Sequence, residues 1–165
     1  MKTLYLIRHA KSSWKFPELN DHDRPLNKRG KRDAPYMAKL LKSFTVKPDL
    51  IISSTAKRAL TTAKAFAEEL GYKKGKIKAT EELYHADEND MLEIIKNVDD
   101  SCSTILLFGH NPELTYFANS ICDYNIDNIP TCGILCIDFI VNSWKEVDFG
   151  KGKFISFEYP RKYFQ

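Results

Sequence analysis

The sequence lacks the features that mark membrane, secreted and nucleic-acid-binding proteins. Its first apolar run, from Leu4 to Ile7, is much shorter than the roughly 7 to 15 residues of a signal-peptide core, and nothing in the chain looks membrane-spanning. The 25 basic and 22 acidic residues are spread over the chain without a block of one sign, which disfavours a nucleic-acid surface. We therefore predict a cytoplasmic protein that binds neither nucleic acid nor a membrane.

Metal-binding patterns are missing as well. The four cysteines form no CxxC pair and no CxxC…HxxxH pattern: Cys102, Cys122, Cys132 and Cys136. This spacing disfavours zinc and favours reduced, buried thiols. We predict no metal and no cofactor.

The apolar content that is present suits one core. A chain of 165 residues with 43% hydrophobic content is long enough for one well-packed domain and too short to expect two. We find no internal repeat, low-complexity segment or linker, and we predict a single domain over residues 1–165.

Apolar runs and helical periodicity alternate along most of the chain. The runs predict strands, and the 3.6-residue periodicity predicts helices. The predicted strands span residues 3–8, 49–54, 76–80 and 104–110, and the predicted helices span residues 28–44, 55–71, 89–97 and 111–122. The tail segments GILCIDFIV, WKEVDFG and KFISFEY alternate like antiparallel strands. The prediction is a three-layer α/β/α sandwich with a mostly parallel mixed sheet and antiparallel C-terminal strands.

Local signals sharpen some helix boundaries. Pro35 falls inside the first predicted helix, so we expect either a kink there or a regular helix that begins only near Arg32. Thr55 suits the N-cap of the second helix and Gly71 its C-terminal stop. Pro112 suits the first turn of the last helix, where its missing N–H costs nothing.

Cationic and imidazole side chains end several of these elements. Arg8 and His9 end the first strand, Arg58 lies in the first turn of the second helix, and His110 ends the strand at 104–110. Because ligands of such folds bind beyond the carboxyl ends of the strands, we expect these side chains to form an anion site, with phosphate as the leading candidate. Taken singly, each has an ordinary alternative as a solvated or capping residue.

The residues around these positions resemble a known family. LIRHAKS, SSTAKRALTTA and LLFGHNPEL resemble the histidine phosphatase superfamily, also called phosphoglycerate-mutase-like, over residues 3 to about 120. Its marks are an Arg-His pair after the first strand, an S-x-x-x-R-A-x-x-T-A helix start and a later Gly-His. The short chain, DRPLNKRG at 23–30 and GHNP look most like the compact bacterial phosphohistidine phosphatases of the SixA type.

The resemblance implies catalytic roles. His9 would be the nucleophile that is transiently phosphorylated, and Arg8, Arg58 and His110 would bind the phosphoryl oxygens and stabilise the transition state without a metal. The second ring nitrogen of His9 should be held by a backbone carbonyl or a similar acceptor. Lys11 and Ser12 would add phosphate-binding groups at the rim, although solvated loop positions are the ordinary alternative for both.

The sequence departs from the family pattern at two positions, and one of the two bears on the substrate. Ala10 replaces a frequent glycine, a small change, while His85 stands where many members carry a glutamate general acid. An alkoxide leaving group needs an acid, and the imidazole of phosphohistidine needs far less help. We predict a P–N phosphatase that acts on a phosphorylated protein, such as a histidine-containing phosphotransfer domain, with His85 as a possible weak acid. The alternatives are a phosphatase for small phosphate esters and a non-catalytic phosphate-binding module.

Overall fold

The structure, a computed structural model, describes residues 1–164. Gln165, the last residue of the predicted domain, lies outside the described residues. Six strands form one mixed sheet: β1 (Lys2–Arg8), β2 (Leu50–Ser54), β3 (Lys78–Thr80), β4 (Thr104–Gly109), β5 (Ile134–Phe139) and β6 (Lys153–Glu158). Their order across the sheet is β3-β2-β4-β1-β5-β6. The first four strands pair in parallel, and β5 and β6 add antiparallel.

Four α-helices cover the two faces of this sheet: α1 (Lys28–Ser43), α2 (Lys57–Leu70), α3 (Glu88–Lys96) and α4 (Glu113–Ile121). Successive strand residues point to opposite faces. In β2, for example, Ile51 packs in the apolar cluster of α1 and α2, while Ile52 packs in the cluster of α3 and α4. Both clusters are buried, so the predicted three-layer α/β fold with antiparallel C-terminal strands is confirmed.

Helix α1 settles the question raised by Pro35. It begins at Lys28, directly after Asn27, whose side-chain oxygen accepts a hydrogen bond from the Gly30 N–H at 2.9 Å. The expectation of a late start near Arg32 is therefore wrong, because the cap starts the helix about one turn earlier. Pro35 remains inside the helix.

The predicted N-cap of α2 is also wrong. The helix begins at Lys57 after Ala56, and no side chain caps it. The hydroxyl of Thr55 instead lies 2.8 Å from Nε2 of His22 in the loop before α1. The group that was predicted to cap the helix therefore makes a tertiary hydrogen bond. Gly71 ends α2 as predicted, with φ of 72°.

The segment WKEVDFG is not a strand. Trp144–Glu146 form a short 3₁₀ helix, and Trp144 is fully buried. Its backbone N–H donates to the Asp100 carboxylate at 2.9 Å, and its indole N–H donates to the Cys102 carbonyl at 2.7 Å. These contacts anchor the indole in the core and leave no strand pairing for the segment.

Residues 1–164 contain neither a helix that could span a membrane nor a cluster of metal-binding side chains. None of the helices there is long and apolar enough to cross a bilayer. Within the same residues, no three His, Cys, Asp or Glu side chains gather as a metal site would require.

Candidate active site

Strand register brings the candidate residues to one edge of the sheet. Arg8 in β1 lies opposite Gly109 in β4, so the next residue of each strand, His9 and His110, leaves the sheet at the same level. Their ring centroids are 5.2 Å apart. Ser54 ends the neighbouring strand β2, and the first turn of α2 after it places Arg58 at the same edge. The parallel arrangement is therefore the reason that distant parts of the sequence meet.

A cleft of about 290 Å³ lies at this edge of the sheet. Its walls contain all four residues of the predicted anion site together with Lys11 and Ser12: Arg8, His9, Lys11, Ser12, Trp14, Asp21, Arg24, Arg58, His110, Asn111 and Thr131. His85 does not line it. The His85 side chain is exposed, and its ring packs 4.3 Å from that of Tyr84. Its role as an acid stays a prediction without support from its position.

The buried ring of His9 is held in one tautomer. Nδ1 lies 2.7 Å from the carbonyl oxygen of Ala10, and since a carbonyl only accepts, Nδ1 carries the hydrogen. Nε2 then has the free lone pair. Burial lowers the pKa of His9 to about 3, so the ring is neutral at physiological pH. A backbone acceptor for this ring is what the nucleophile role predicts, and the structure supplies one.

The loop that carries His9 is fixed by hydrogen bonds. The Ala10 N–H donates to the Thr62 hydroxyl at 3.0 Å, and that hydroxyl donates to the Arg58 carbonyl at 2.7 Å. Helix α1 also approaches closely: a Cβ on Gly30 would lie 2.2 Å from the Lys11 carbonyl oxygen. Only glycine permits this approach, so the N-terminus of α1 braces the His9 loop.

Arg58 is buried and oriented by Asp21, a residue that was not predicted from the sequence. One guanidinium nitrogen donates to the Asp21 carbonyl at 2.7 Å and another to its carboxylate at 2.9 Å. The Tyr84 hydroxyl donates to the same carboxylate oxygen at 2.5 Å. Tyr84 first, and then Arg58, lower the pKa of Asp21 below its ordinary value, so this carboxylate is ionised at neutral pH.

Arg8 and His110 keep unused polar atoms in the cleft. Arg8 donates one N–H to the Ile129 carbonyl at 3.1 Å, and its buried Nε has no partner among the described residues. His110 Nε2 lies 2.8 Å from the Ser54 hydroxyl, while its buried Nδ1 has no partner there either. Burial, and secondly the charge of Arg58, lower the pKa of His110 to about 3. Buried polar atoms are normally bonded, so these atoms indicate a ligand site.

Arg24 also belongs to the cleft, although it was not predicted to do so, and it lies there beside Trp14. Arg24 donates to the hydroxyl of Ser12, and its guanidinium carbon lies 3.4 Å from the centre of the Trp14 ring. Both residues fall in the stretch 11–25, which has no helical or strand periodicity. No sequence signal fixes which side chains of such a loop point inward. The family-like DRPL segment was the one available hint for Arg24.

The cleft is strongly cationic. Four cationic side chains line it, and Asp21 is the one carboxylate among the described lining residues. Both of the cleft histidines are neutral at physiological pH, so the positive charge comes from Arg8, Lys11, Arg24 and Arg58. Such a balance favours a doubly charged anion.

Comparison with known proteins identifies the family. A model of the histidine phosphatase superfamily (branch 1) matches residues 4–105, well over half of the chain. The chain belongs to this superfamily. A chloroplastic protein of Arabidopsis thaliana, itself uncharacterized, is 33% identical over 153 residues, which cover 88% of this chain and 70% of that protein.

The chain is similar in structure to solved SixA phosphatases. A candidate phosphohistidine phosphatase SixA from Agrobacterium tumefaciens has a TM-score of 0.82 at 28% identity and covers 96% of this chain and 98% of that one. A protein histidine phosphatase SixA in complex with tungstate has a TM-score of 0.84, covers 97% of this chain and 98% of that one, and at 19% identity shares the fold. The predicted SixA-like membership is confirmed, and this histidine phosphatase is a phosphatase hydrolase by family.

Proposed function

We propose that this histidine phosphatase hydrolyses the P–N bond of phosphohistidine on a partner protein, through a covalent phosphohistidine at His9. The free lone pair of His9 Nε2 attacks phosphorus in line, the P–N bond of the substrate breaks, and a P–Nε2 bond forms. The departing imidazole takes its proton from solvent. Water then attacks phosphorus and releases inorganic phosphate and neutral His9.

The cationic side chains stabilise the charge that develops during transfer. Arg8, Arg58 and His110 bind the phosphoryl oxygens, and Lys11 and Ser12 stand at the rim. His110 acts as a donor in the tautomer that has hydrogen on Nδ1, the atom without a partner among the described residues, with Ser54 donating to Nε2. Loose phosphoryl transfer needs positioning and charge stabilisation above all, which is what this set of donors offers.

The ionised state of Asp21 is the observation that favours phosphohistidine over a phosphate ester as the substrate. It is the one carboxylate among the described lining residues, and its contacts with Tyr84 and Arg58 keep it ionised. An ionised, fully engaged carboxylate is a poor proton donor for an alkoxide, whereas an imidazole leaving group does not require one. The likeness to the SixA proteins, which carry the names phosphohistidine phosphatase and protein histidine phosphatase, supports the same choice.

The form of the cleft supports a protein-borne substrate. It opens to solvent beside Trp14, which is 74% exposed, and Phe16 is exposed on the same loop. Exposed aromatic side chains next to a site favour contact with a macromolecular partner. A phosphorylated side chain projecting from a folded protein would reach His9 without a lid having to open.

The test compares substrates on one enzyme preparation. We expect kcat/KM for a phosphorylated histidine-containing phosphotransfer domain to exceed those for aryl and sugar phosphates by orders of magnitude. His9→Ala is the matched control for background hydrolysis, because phosphohistidine hydrolyses on its own. Faster turnover of an ester than of the phosphorylated domain would overturn the P–N assignment and favour a phosphomonoesterase. Absence of His9-dependent turnover on every substrate would leave a phosphate-binding module.

A further inference from the structure

Arg24 is a buried cation in the cleft for which the proposed mechanism has no use. The residue is 7% exposed. One of its terminal nitrogens donates to the Ser12 hydroxyl. Its Nε lies 3.5 Å from an Asp21 carboxylate oxygen without a hydrogen bond, and its other terminal nitrogen, Nη1, is buried and has no partner among the described residues.

Several contacts hold this guanidinium beside the His9 loop. Ser12 pairs with Leu26 in an isolated antiparallel bridge, and the Ser13 N–H donates to the Pro25 carbonyl at 2.8 Å. These links tie the segment after His9 to the segment after Arg24. The indole of Trp14 covers one face of the guanidinium at 3.4 Å. A planar cation stacked on one side and bonded at one end keeps its remaining N–H groups for a ligand in its own plane.

Charge and desolvation both favour an anion as that ligand. Arg24 and Arg58 line the same cleft, and burial together with the charge of Arg58 lowers the pKa of Arg24. Leaving buried N–H donors unsatisfied is costly, and a charged acceptor removes that cost. Asp21 offsets only one of the four cationic charges in the cleft.

We propose that Arg24 is a third arginine ligand of the phosphoryl group, and that Ser12 and Trp14 are its positioning residues. Its free N–H groups donate to a nonbridging phosphoryl oxygen beside those of Arg8 and Arg58. Ser12 then acts mainly by holding Arg24. This inference rests on the phosphoryl site of the proposed function, but it does not depend on which phosphorylated compound is the substrate.

Binding of inorganic phosphate tests the assignment without any turnover. The chain has two tryptophans. Trp144 is fully buried in the apolar cluster of α3 and α4 and does not line the cleft, so a change of fluorescence on binding reports on Trp14 and its contact with Arg24. We expect phosphate to change the fluorescence of the wild-type protein, and calorimetry to give the dissociation constant independently.

Matched substitutions separate a ligand from a mere charge. We expect Arg24→Gln to raise the phosphate dissociation constant by about tenfold to a hundredfold, as for loss of a charge-assisted hydrogen bond. Arg24→Lys, which keeps the charge and loses the planar fork, should fall between Arg24→Gln and the wild type. Arg161→Gln removes the same charge from an exposed arginine outside the cleft and should bind phosphate like the wild type.

The outcomes of these binding experiments distinguish failure of the Arg24 assignment from failure of the proposed function. Phosphate binding by Arg24→Gln within about twofold of the wild type, where a lost charged hydrogen bond predicts far more, would overturn the role of Arg24 and leave the proposed function intact. If Arg24→Gln fails to fold, Arg24→Lys and Ser12→Ala decide, and unaltered affinity in both would overturn the assignment. Saturation by phosphate in calorimetry without a fluorescence change would also count against it. Absence of phosphate binding by the wild type would overturn the proposed function together with this assignment.

Discussion

Strand β1 carries a cation at each end, and the two cations use their N–H groups differently. At the amino end, the buried Lys2 ammonium donates to the carbonyls of Asp100 and Cys102 at 2.7 and 3.0 Å and lies 5.7 Å from the centre of the Trp144 ring. At the carboxyl end, Arg8 donates to one carbonyl and keeps a buried Nε without a partner among the described residues. Protein acceptors satisfy the first cation, and the second keeps donor capacity for a ligand.

The same contrast holds for the regions around these ends. Near Lys2, the Trp144 indole and backbone N–H groups also have acceptors, Cys102 and Asp100. Near Arg8, the residues Arg24, Arg58 and His110 each retain unpartnered buried nitrogen atoms among the described residues. Unsatisfied donors that gather at one edge of a sheet mark a binding site, whereas satisfied ones mark a structural contact.

Removal of the nucleophile has the largest expected effect at the carboxyl edge. We expect His9→Ala to lower kcat/KM by at least about a thousandfold, because no other group can form the P–N intermediate. Alkaline gels after incubation with a ³²P-labelled phosphodonor measure the intermediate, which should be absent from the variant. Equal labelling of His9→Ala would contradict the nucleophile assignment. His85→Gln, outside the cleft, should label and turn over close to the wild type, and a large loss there would restore His85 as an acid.

Paired substitutions at the two ends of β1 test the comparison directly. Arg8→Met should lower kcat/KM by about a hundredfold, since it removes one donor to the transition state, and should leave the fold largely intact. Lys2→Met should leave kcat/KM close to the wild type and lower the free energy of unfolding by about 1–3 kcal/mol, because two carbonyls lose a buried donor. Urea unfolding and steady-state kinetics on the same preparations measure both effects. Loss of activity with Lys2→Met at unchanged stability would contradict the distinction between a structural cation at the amino end of β1 and a ligand-binding cation at its carboxyl end.

A single methyl group should disturb the support of the His9 loop. Gly30→Ala places a Cβ 2.2 Å from the Lys11 carbonyl, so we expect it to destabilise the fold by about 1–3 kcal/mol, as overpacking does. This sign is opposite to the usual gain from alanine in a helix. Gly75→Ala is the control, since a Cβ there meets nothing within 4 Å. Thermal unfolding compares the two, and a stabilised Gly30→Ala would show that α1 does not brace the loop.

The pH dependence of stability should show the most gradual effect, because it is spread over several pH units. Burial lowers the pKa values of His9 and His110 to about 3, from ordinary values near 6.5 in the unfolded chain. The unfolded state therefore binds more protons below about pH 6.5, and the free energy of unfolding should fall with decreasing pH by up to about 1.4 kcal/mol per pH unit for each histidine. Urea unfolding between about pH 5 and 7 measures the slope, above the range of most carboxylates. His110→Gln should reduce this slope by up to about 1.4 kcal/mol per pH unit, which is the contribution of one histidine. An unchanged slope would contradict the lowered pKa of His110.

Much of the site was predictable because strand ends are predictable. Apolar runs indicate that one strand ends at Arg8 and another just before His110. The helical period after Ser54 indicates where the next helix begins. The parallel order of the strands then brings these positions together. The chemistry of a neutral nucleophile was enough to predict an acceptor for the second nitrogen of His9. The single-domain prediction for residues 1–165 and the cytoplasmic location stay predictions.

Two of the three remaining errors share a cause. The Thr55 hydroxyl bonds His22 and does not cap α2. Trp144 bonds Asp100 and Cys102 and is not part of a strand. Helix α1 includes Pro35 because its N-terminus is capped and packed. For Thr55 and Trp144, a partner distant in sequence outweighed a local preference, which is only a weak prior. For α1, the local cap at Asn27 outweighed the preference of Pro35 against a helix interior.

The sequence by itself determined the α/β class, the family and the four residues at the carboxyl edge, because periodicity and motif spacing are local properties. Only the tertiary structure decided how the aperiodic loop before α1 folds along the wall of the cleft. There Asp21 binds Arg58 and Tyr84, and Arg24 lies under Trp14. Hydrogen bonds and stacking between residues far apart in the chain fix these positions, and no local pattern encodes such contacts.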